Sequence, residues 1–254
     1  MNYRFTIQYD GTELHGWQAQ DGRRTVQGEL ERALALLEGE AVVLHGAGRT
    51  DAGVHAEGQV ASAHLRRREW SAEKLRAAVN GNVGTDVRVI DVVEAPDDFH
   101  ARYSARGKTY RYAVFNERFQ SPFWSRYALH EARHLDVGAM RRAAAHFVGE
   151  HDWTAFSAAQ SDVKTRVRRV TRLDISERVC ERGRGRVVEI EAGAEGFLRY
   201  MVRTMAGALL AAGRGELKAQ DIARAIETGE RPHLIVTAPA HGLTLVKVEY
   251  GAES

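Results

Sequence analysis

The chain predicts an α+β fold of two similar halves, each an antiparallel sheet covered by helices, with the expected active-site cleft between them. The order of strand and helix patterns fits this better than one doubly wound parallel sheet. That order partly repeats after residue 104, which divides the chain into 1–104 and 105–254. No Pro- or Ser-rich linker separates the repeats, so tight packing is expected, and a cleft between packed halves is the default place for a site.

Each element has its own signal. Arg4 to Asp10 alternates Phe5, Ile7 and Tyr9 with Thr6, Gln8 and Asp10, the pattern of a half-buried strand. Thr25 opens a helix with Val26, Leu30, Ala33, Leu34 and Leu37 on one stripe, and Gly39 stands near its end. Short strands are expected at Ala41–His45 and Gln59–Leu65. Ser71 caps a helix through Val79 that the Asn80-Gly81-Asn82 turn stops, and Val87–Val93 is a further strand. In the second half Thr109–Phe115 is a strand, and Asp136 caps a helix carrying Met140, Ala144, Phe147 and Val148. Val167–Ile175 and Val187–Ala192 form a hairpin around residues 182–186. Leu198–Leu210 and Ile222–Ile226 are helical, and Leu243–Tyr250 is the last strand.

The 254 residues, 44% apolar and 28% charged, are ordinary for a soluble globular chain. The overall charge of +2 hides an asymmetry: residues 1–104 carry −4 and residues 105–254 carry +6. A basic second half points to a polyanionic partner, against the plainer reading of a solvated face. Cys180 is the only cysteine, which excludes an intrachain disulfide and a thiolate-rich metal site. No apolar run approaches bilayer length, and Met1–Phe5 leads into a strand pattern without a signal-peptide core, so the expected compartment is the cytoplasm.

The most informative segment is Gly48-Arg49-Thr50-Asp51-Ala52-Gly53-Val54-His55-Ala56. It places a carboxylate between an arginine and a glycine, in a turn where cation and backbone N–H groups can keep Asp51 ionised. By residue type alone it is also a good surface turn. Gly46-Ala47-Gly48 nearly begins a dinucleotide fingerprint, but Asp51 stands where the third glycine belongs. His130-Glu131-Ala132-Arg133-His134 matches H-E-x-x-H, yet it precedes the cap at Asp136 and lacks the helical stripe a zinc site needs.

Basic residues cluster at Lys164, Arg166, Arg168, Arg169 and Arg172, at Arg66-Arg67-Arg68, and at Arg182, Arg184 and Arg186. In one strand Lys164, Arg166, Arg168 and Arg172 would share a face that could track phosphates. Tyr110 and Tyr112 share a strand face, either as half-buried aromatics or as a ring for an extruded base. Arg199 and Arg203 flank an apolar helix stripe. There an arginine either snorkels to water or pairs with a carboxylate across the cleft.

In order, Tyr9-Asp10-Gly11-Thr12, Gly16-Trp17-Gln18, Thr25-Val26-Gln27, the Asp51 segment, Phe99-His100-Ala101-Arg102, Lys108–Tyr112, His151–Phe156, Phe197–Arg203 and Ala238–Leu243 resemble the tRNA pseudouridine synthase A family across almost the whole chain. Trp153, where phenylalanine is more usual, is a mild departure that touches nothing catalytic. The resemblance implies isomerisation of uridine to pseudouridine at positions 38, 39 and 40 of the tRNA anticodon stem-loop. It also implies a homodimer, no cofactor and no required metal. Asp51 then matches the essential aspartate, Tyr110 a substrate-contacting tyrosine, Arg49 an arginine beside the target nucleotide, and Arg203 the basic partner of the aspartate. The basic second half becomes an RNA surface.

Three rival classes follow from the residues. A non-catalytic RNA-binding protein would share the basic strands. A retaining glycosidase would need a second carboxylate, for which the segment offers only Glu57, and a zinc hydrolase would use His130 and His134.

Overall fold

The computed structural model describes residues 1–66, 70–159, 163–180 and 184–251. In chain order the elements are β1 (Asn2–Tyr9), α1 (Val26–Glu38), β2 (His45–Gly46), β3 (His55–His64), α2 (Ala72–Asn80), β4 (Val87–Ala95) and β5 (Ala105–Asn116). They continue with β6 (Leu129–Glu131), α3 (Val137–Ala144), β7 (Gly149–Asp152), β8 (Val167–Cys180), β9 (Gly185–Ala194), α4 (Met201–Gly213), α5 (Ala219–Thr228) and β10 (Leu243–Tyr250). By packing, Met1–Arg106 and the chain from Thr244 form one unit, and Gly107–Leu243 forms the other. The last strand, counted above with residues 105–254, packs in the first unit because Thr244 and Leu245 pair parallel with His55 and Ala56 of β3.

In the first unit β1 lies antiparallel between β3 and β4, and β2 pairs with β3. Phe5, Ile7 and Tyr9 are buried as their alternation requires, and Tyr3 extends the buried face two residues earlier than expected. Both helices start where their capping residues dictate. Thr25 accepts from the Gly28 N–H, Ser71 accepts from the Lys74 N–H, and Gly39 ends α1 at φ +76°.

The strand expected at Ala41–His45 shrinks to His45–Gly46. The alternation there is real, with Val42 and Leu44 buried and Val43 exposed. The backbone groups, however, are taken by α1 side chains. Glu31 accepts from the Leu44 N–H at 3.0 Å, and Gln27 donates to the Leu44 carbonyl at 3.1 Å, so no ladder is needed to satisfy them.

In the second unit β5, β9, β8 and β7 form a consecutive antiparallel run, and β6 adds parallel to β5. The expected β8–β9 hairpin is present, longer on both strands. Helix α3 begins at the Asp136 cap but ends at Ala144, and a single tighter turn over Ala145–Phe147 follows. Phe147 is therefore buried while Val148, expected on the same stripe, is exposed.

Helix α4 starts three residues later than expected. Tyr200 takes φ +65°, outside helical space, and so places Phe197, Leu198 and Arg199 before the helix. Once begun, every α4 residue except Arg203 is buried. A helix apolar all round belongs in a core. Gly207 admits the backbone of Val236, whose carbonyl a Cβ would overlap. Among the described residues no helix is long and apolar enough to cross a membrane.

Candidate active site

The Asp51 turn is held by the unit beneath it. Asp51 accepts from the Val54 N–H through its carbonyl at 3.1 Å, closing a turn in which Gly53 takes φ +78°. Thr50, next to Asp51, is buried, and its hydroxyl meets the Tyr9 hydroxyl at 2.8 Å. Gln59, fully buried on β3, donates to the Gly48 carbonyl at 2.9 Å and reaches the Tyr9 oxygen at 3.5 Å. Burial pushes the Tyr9 phenol up to about 12, with Thr50 and Gln59 pulling slightly the other way. Tyr9 is thus a neutral, hydrogen-bonded pillar at any ordinary pH.

Two glycine segments clasp the same turn. The Trp17 N–H donates to the Thr50 carbonyl at 3.1 Å, and the Gly53 N–H donates to Leu14 at 3.3 Å. Gly16, at φ +86°, leaves no room for a Cβ against the Thr50 carbonyl, and a Cβ on Gly11 would overlap the Val54 carbonyl. His55 accepts the Gly11 N–H at 3.0 Å. Tyr9–Thr12 and Gly16–Gln18, read from the sequence only as marks of resemblance, are therefore the seat of Asp51. Asp51 itself is partly exposed and Arg49 is exposed on the same loop.

Tyr110 and Arg203 belong to the second unit. Tyr110 sits opposite Ala192 on β9, buried, with its ring edge-on to Phe197 at 5.3 Å. Tyr112 shares its face but is fully buried and donates to the Pro239 carbonyl at 2.9 Å, with its phenol pushed up by burial. Tyr112 thus takes the structural one of the two readings given above.

Arg203 lies in the first turn of α4 and donates through Nε to the Ala238 carbonyl at 2.8 Å. Its guanidinium lies over the Tyr200 ring at 5.1 Å, and that of Arg199 at 4.8 Å. A cation at a helix N-terminus gains nothing from the helix dipole, so the first turn of α4 is a place that favours an anion. Because Arg199 precedes the helix, the expected helical pair Arg199/Arg203 is not formed. The sequence had no signal for the left-handed Tyr200 that prevents it.

The basic clusters are only partly available to a partner. The expected common face of Lys164, Arg166, Arg168 and Arg172 does not exist. β8 starts at Val167, and the pairing with β9 slips between Val170 and Arg172, which reverses the strand's two faces. Arg166 is occupied by Ser157 and the carbonyls of Ala158 and Ala159, and Arg172 by Glu191. Arg66 pairs with Glu40, and Arg186 with Asn116 and Glu177. Arg67, Arg68 and Arg182 lie outside the described residues.

The H-E-x-x-H match falls on a strand and a bend. His130 reaches the Glu117 carbonyl at 2.8 Å, and Glu131 is engaged by Arg133 and Arg214. Burial pushes the Glu131 carboxyl up, but the backbone and side-chain hydrogen bonds from Arg133, with the charges of Arg133 and Arg214, hold it below its ordinary value. Among the described residues no three His, Cys, Asp or Glu side chains gather as a metal site would require.

Residues 6–104 and 143–251 match a family model described as tRNA pseudouridine synthase. The chain belongs to the tRNA pseudouridine synthase family. It is 42% identical to the tRNA pseudouridine synthase A of Caldicellulosiruptor bescii, over 98% of this chain and 99% of that one. With the enzyme of the same name from Acetivibrio thermocellus the identity is 40% at the same coverage. With that of Rhizobium meliloti it is 39%, again over 98% and 99%. Membership makes the chain an isomerase of uridine in tRNA, and the two matched stretches contain Asp51, Arg49 and Arg203. Tyr110 lies in the stretch between them.

Proposed function

We propose that this synthase converts uridine to pseudouridine at positions 38, 39 and 40 of the tRNA anticodon stem-loop, with Asp51 as nucleophile or base. The observation that carries the proposal is the seat of the Asp51 turn: a buried Tyr9–Thr50–Gln59 cluster below and two glycine segments around it. Such investment in the geometry of one partly exposed carboxylate fits a group that must meet a substrate atom accurately.

The reaction cleaves an N-glycosidic bond, turns the uracil and joins its C5 to the same sugar carbon. No electron is transferred and no water is consumed, so an ionised carboxylate suffices, by attack or by removal of a sugar proton. The target nucleotide must leave its stack, and Arg49 is the side chain for the vacated space. Tyr110, held edge-on by Phe197, supports the detached base. Arg203 is the cation that this reading assigns to the Asp51 carboxylate. We further propose a homodimer working in the cytoplasm without cofactor or metal.

Unmodified tRNA incubated with the protein in the absence of added metal, then mapped for pseudouridine at base resolution, tests the assignment. The expected product lies at positions 38–40. Modification confined to another region of tRNA contradicts the substrate assignment, and abolition of activity by a chelator contradicts the metal-free reaction.

A further inference from the structure

One segment of the first unit buries Ala101 in the core and turns other side chains outward, apart from the Asp51 turn. Residues 96–104 are held by side chains of β1, β3 and β10. The Asn2 side chain donates to the Pro96 and Phe99 carbonyls at 2.8 Å each, the Ser62 hydroxyl accepts the Ala101 N–H at 3.1 Å, and the Tyr250 hydroxyl donates to the Ala101 carbonyl at 2.7 Å. On this fixed backbone three rings stack outward. His45 of β2 lies on His100 at 4.7 Å with 29° between the planes, and His100 lies against Tyr103 at 4.4 Å. The Arg102 guanidinium is 5.8 Å from the Tyr103 ring centre. Tyr103, at the outer end, is 77% exposed.

We infer that the His45–His100–Tyr103 stack is a platform for one unpaired base of the bound RNA, with Arg102 beside it. The site is pre-built: the His100 ring is fixed by accepting the Arg102 N–H on Nδ1 at 3.1 Å, so its orientation costs nothing on binding. Two imidazoles and a phenol suit a heterocycle, since base stacking on aromatic faces tolerates any sequence. Asp97 and Asp98, exposed on the same segment, disfavour a phosphate and leave a base as the better occupant.

Distance also fits. Arg49 lies four positions after His45, so their Cα atoms are no more than about 14 Å apart, within reach of a single RNA strand that also touches the Asp51 loop. The platform rests on the reading of this chain as a tRNA enzyme and adds to it a contact for a nucleotide other than the target.

The test is the affinity of Tyr103→Ala and Tyr103→Phe for an unmodified tRNA transcript. Tyr103→Ala is expected to weaken binding about tenfold, while Tyr103→Phe, which keeps the stacking face, binds as the wild type does. Both melt with the wild type because the ring is exposed. A Tyr103→Trp variant gives a second readout, fluorescence quenched on adding an anticodon stem-loop oligonucleotide. Unchanged affinity in Tyr103→Ala overturns the platform, as does a loss of self-association with RNA binding intact, which would give the face to a second copy. A wild type that makes no pseudouridine, with Tyr103→Ala still impaired in RNA binding, keeps the platform and removes only the assigned reaction.

Discussion

Asp51 and Arg203 are presented in opposite ways. Asp51 stands on an irregular turn whose shape comes from outside it: a phenol, a hydroxyl and an amide below, and glycines that let neighbouring backbone come close. Arg203 stands on a helix in which every other residue is buried. A turn can place a carboxylate at any angle but depends on many partners. A core helix offers few angles but depends on almost nothing beyond its own packing. The comparison teaches that perturbing the Asp51 seat should alter chemistry along with stability, whereas perturbing the packing of α4 should alter stability first.

Gly207→Ala gives the largest expected loss of stability. Alanine in a helix interior gains about 1 kcal/mol over glycine in propensity. Here the new Cβ overlaps the Val236 carbonyl, and overpacking of this kind costs about 1–3 kcal/mol or more. A net destabilisation despite better propensity is expected in urea titration, and a gain in stability would break the account of α4. Gly11→Ala, against the Val54 carbonyl, should cost about as much and also lower the rate at saturating tRNA. Tyr9→Phe is milder. It removes the hydroxyl that meets Thr50, costing about 1–2 kcal/mol, and its main effect should be a lowered kcat with little change in KM. An equal fall in both parameters with no melting shift would separate Tyr9 from the seat.

The smallest effect is expected at the Arg24–Asp86 pair, a two-bonded contact at 2.6 and 2.7 Å within the first unit. The hydrogen bonds from Arg24 hold the Asp86 carboxyl below its ordinary value of 3.8. A depressed carboxylate stabilises above its unfolded pKa and loses that stabilisation as pH falls through the folded one. The difference in melting temperature between wild type and Asp86→Asn should therefore be constant near neutrality and shrink below about pH 4. The stability contributed by the pair stays under about 1 kcal/mol, because the Arg24 and Asp86 side chains are 37% and 24% exposed to solvent.

The same contrast explains what could be read from the sequence. β1, α1 and α2 were legible because alternation, stripe and capping residue act within a few positions. The strand at Ala41–His45 was not, because Glu31 and Gln27 satisfy its backbone from a different element. The supposed arginine face of β8 failed on one irregularity in register, which no composition reveals. The start of α4 was misread because a left-handed tyrosine has no sequence signature. Asp51 was legible as a turn of the right residues. Its dependence on Tyr9, Gln59, Gly11 and Gly16 was not, since those partners are brought in by strand pairing and by a loop between distant elements.

The central claim is that Asp51 does the covalent or proton-transfer step. Asp51→Asn keeps the size and the turn while removing the charge, so the decisive measurement pairs its affinity for unmodified tRNA with its single-turnover yield of pseudouridine. The account predicts wild-type affinity and no detectable product. Near-normal product from Asp51→Asn would contradict it.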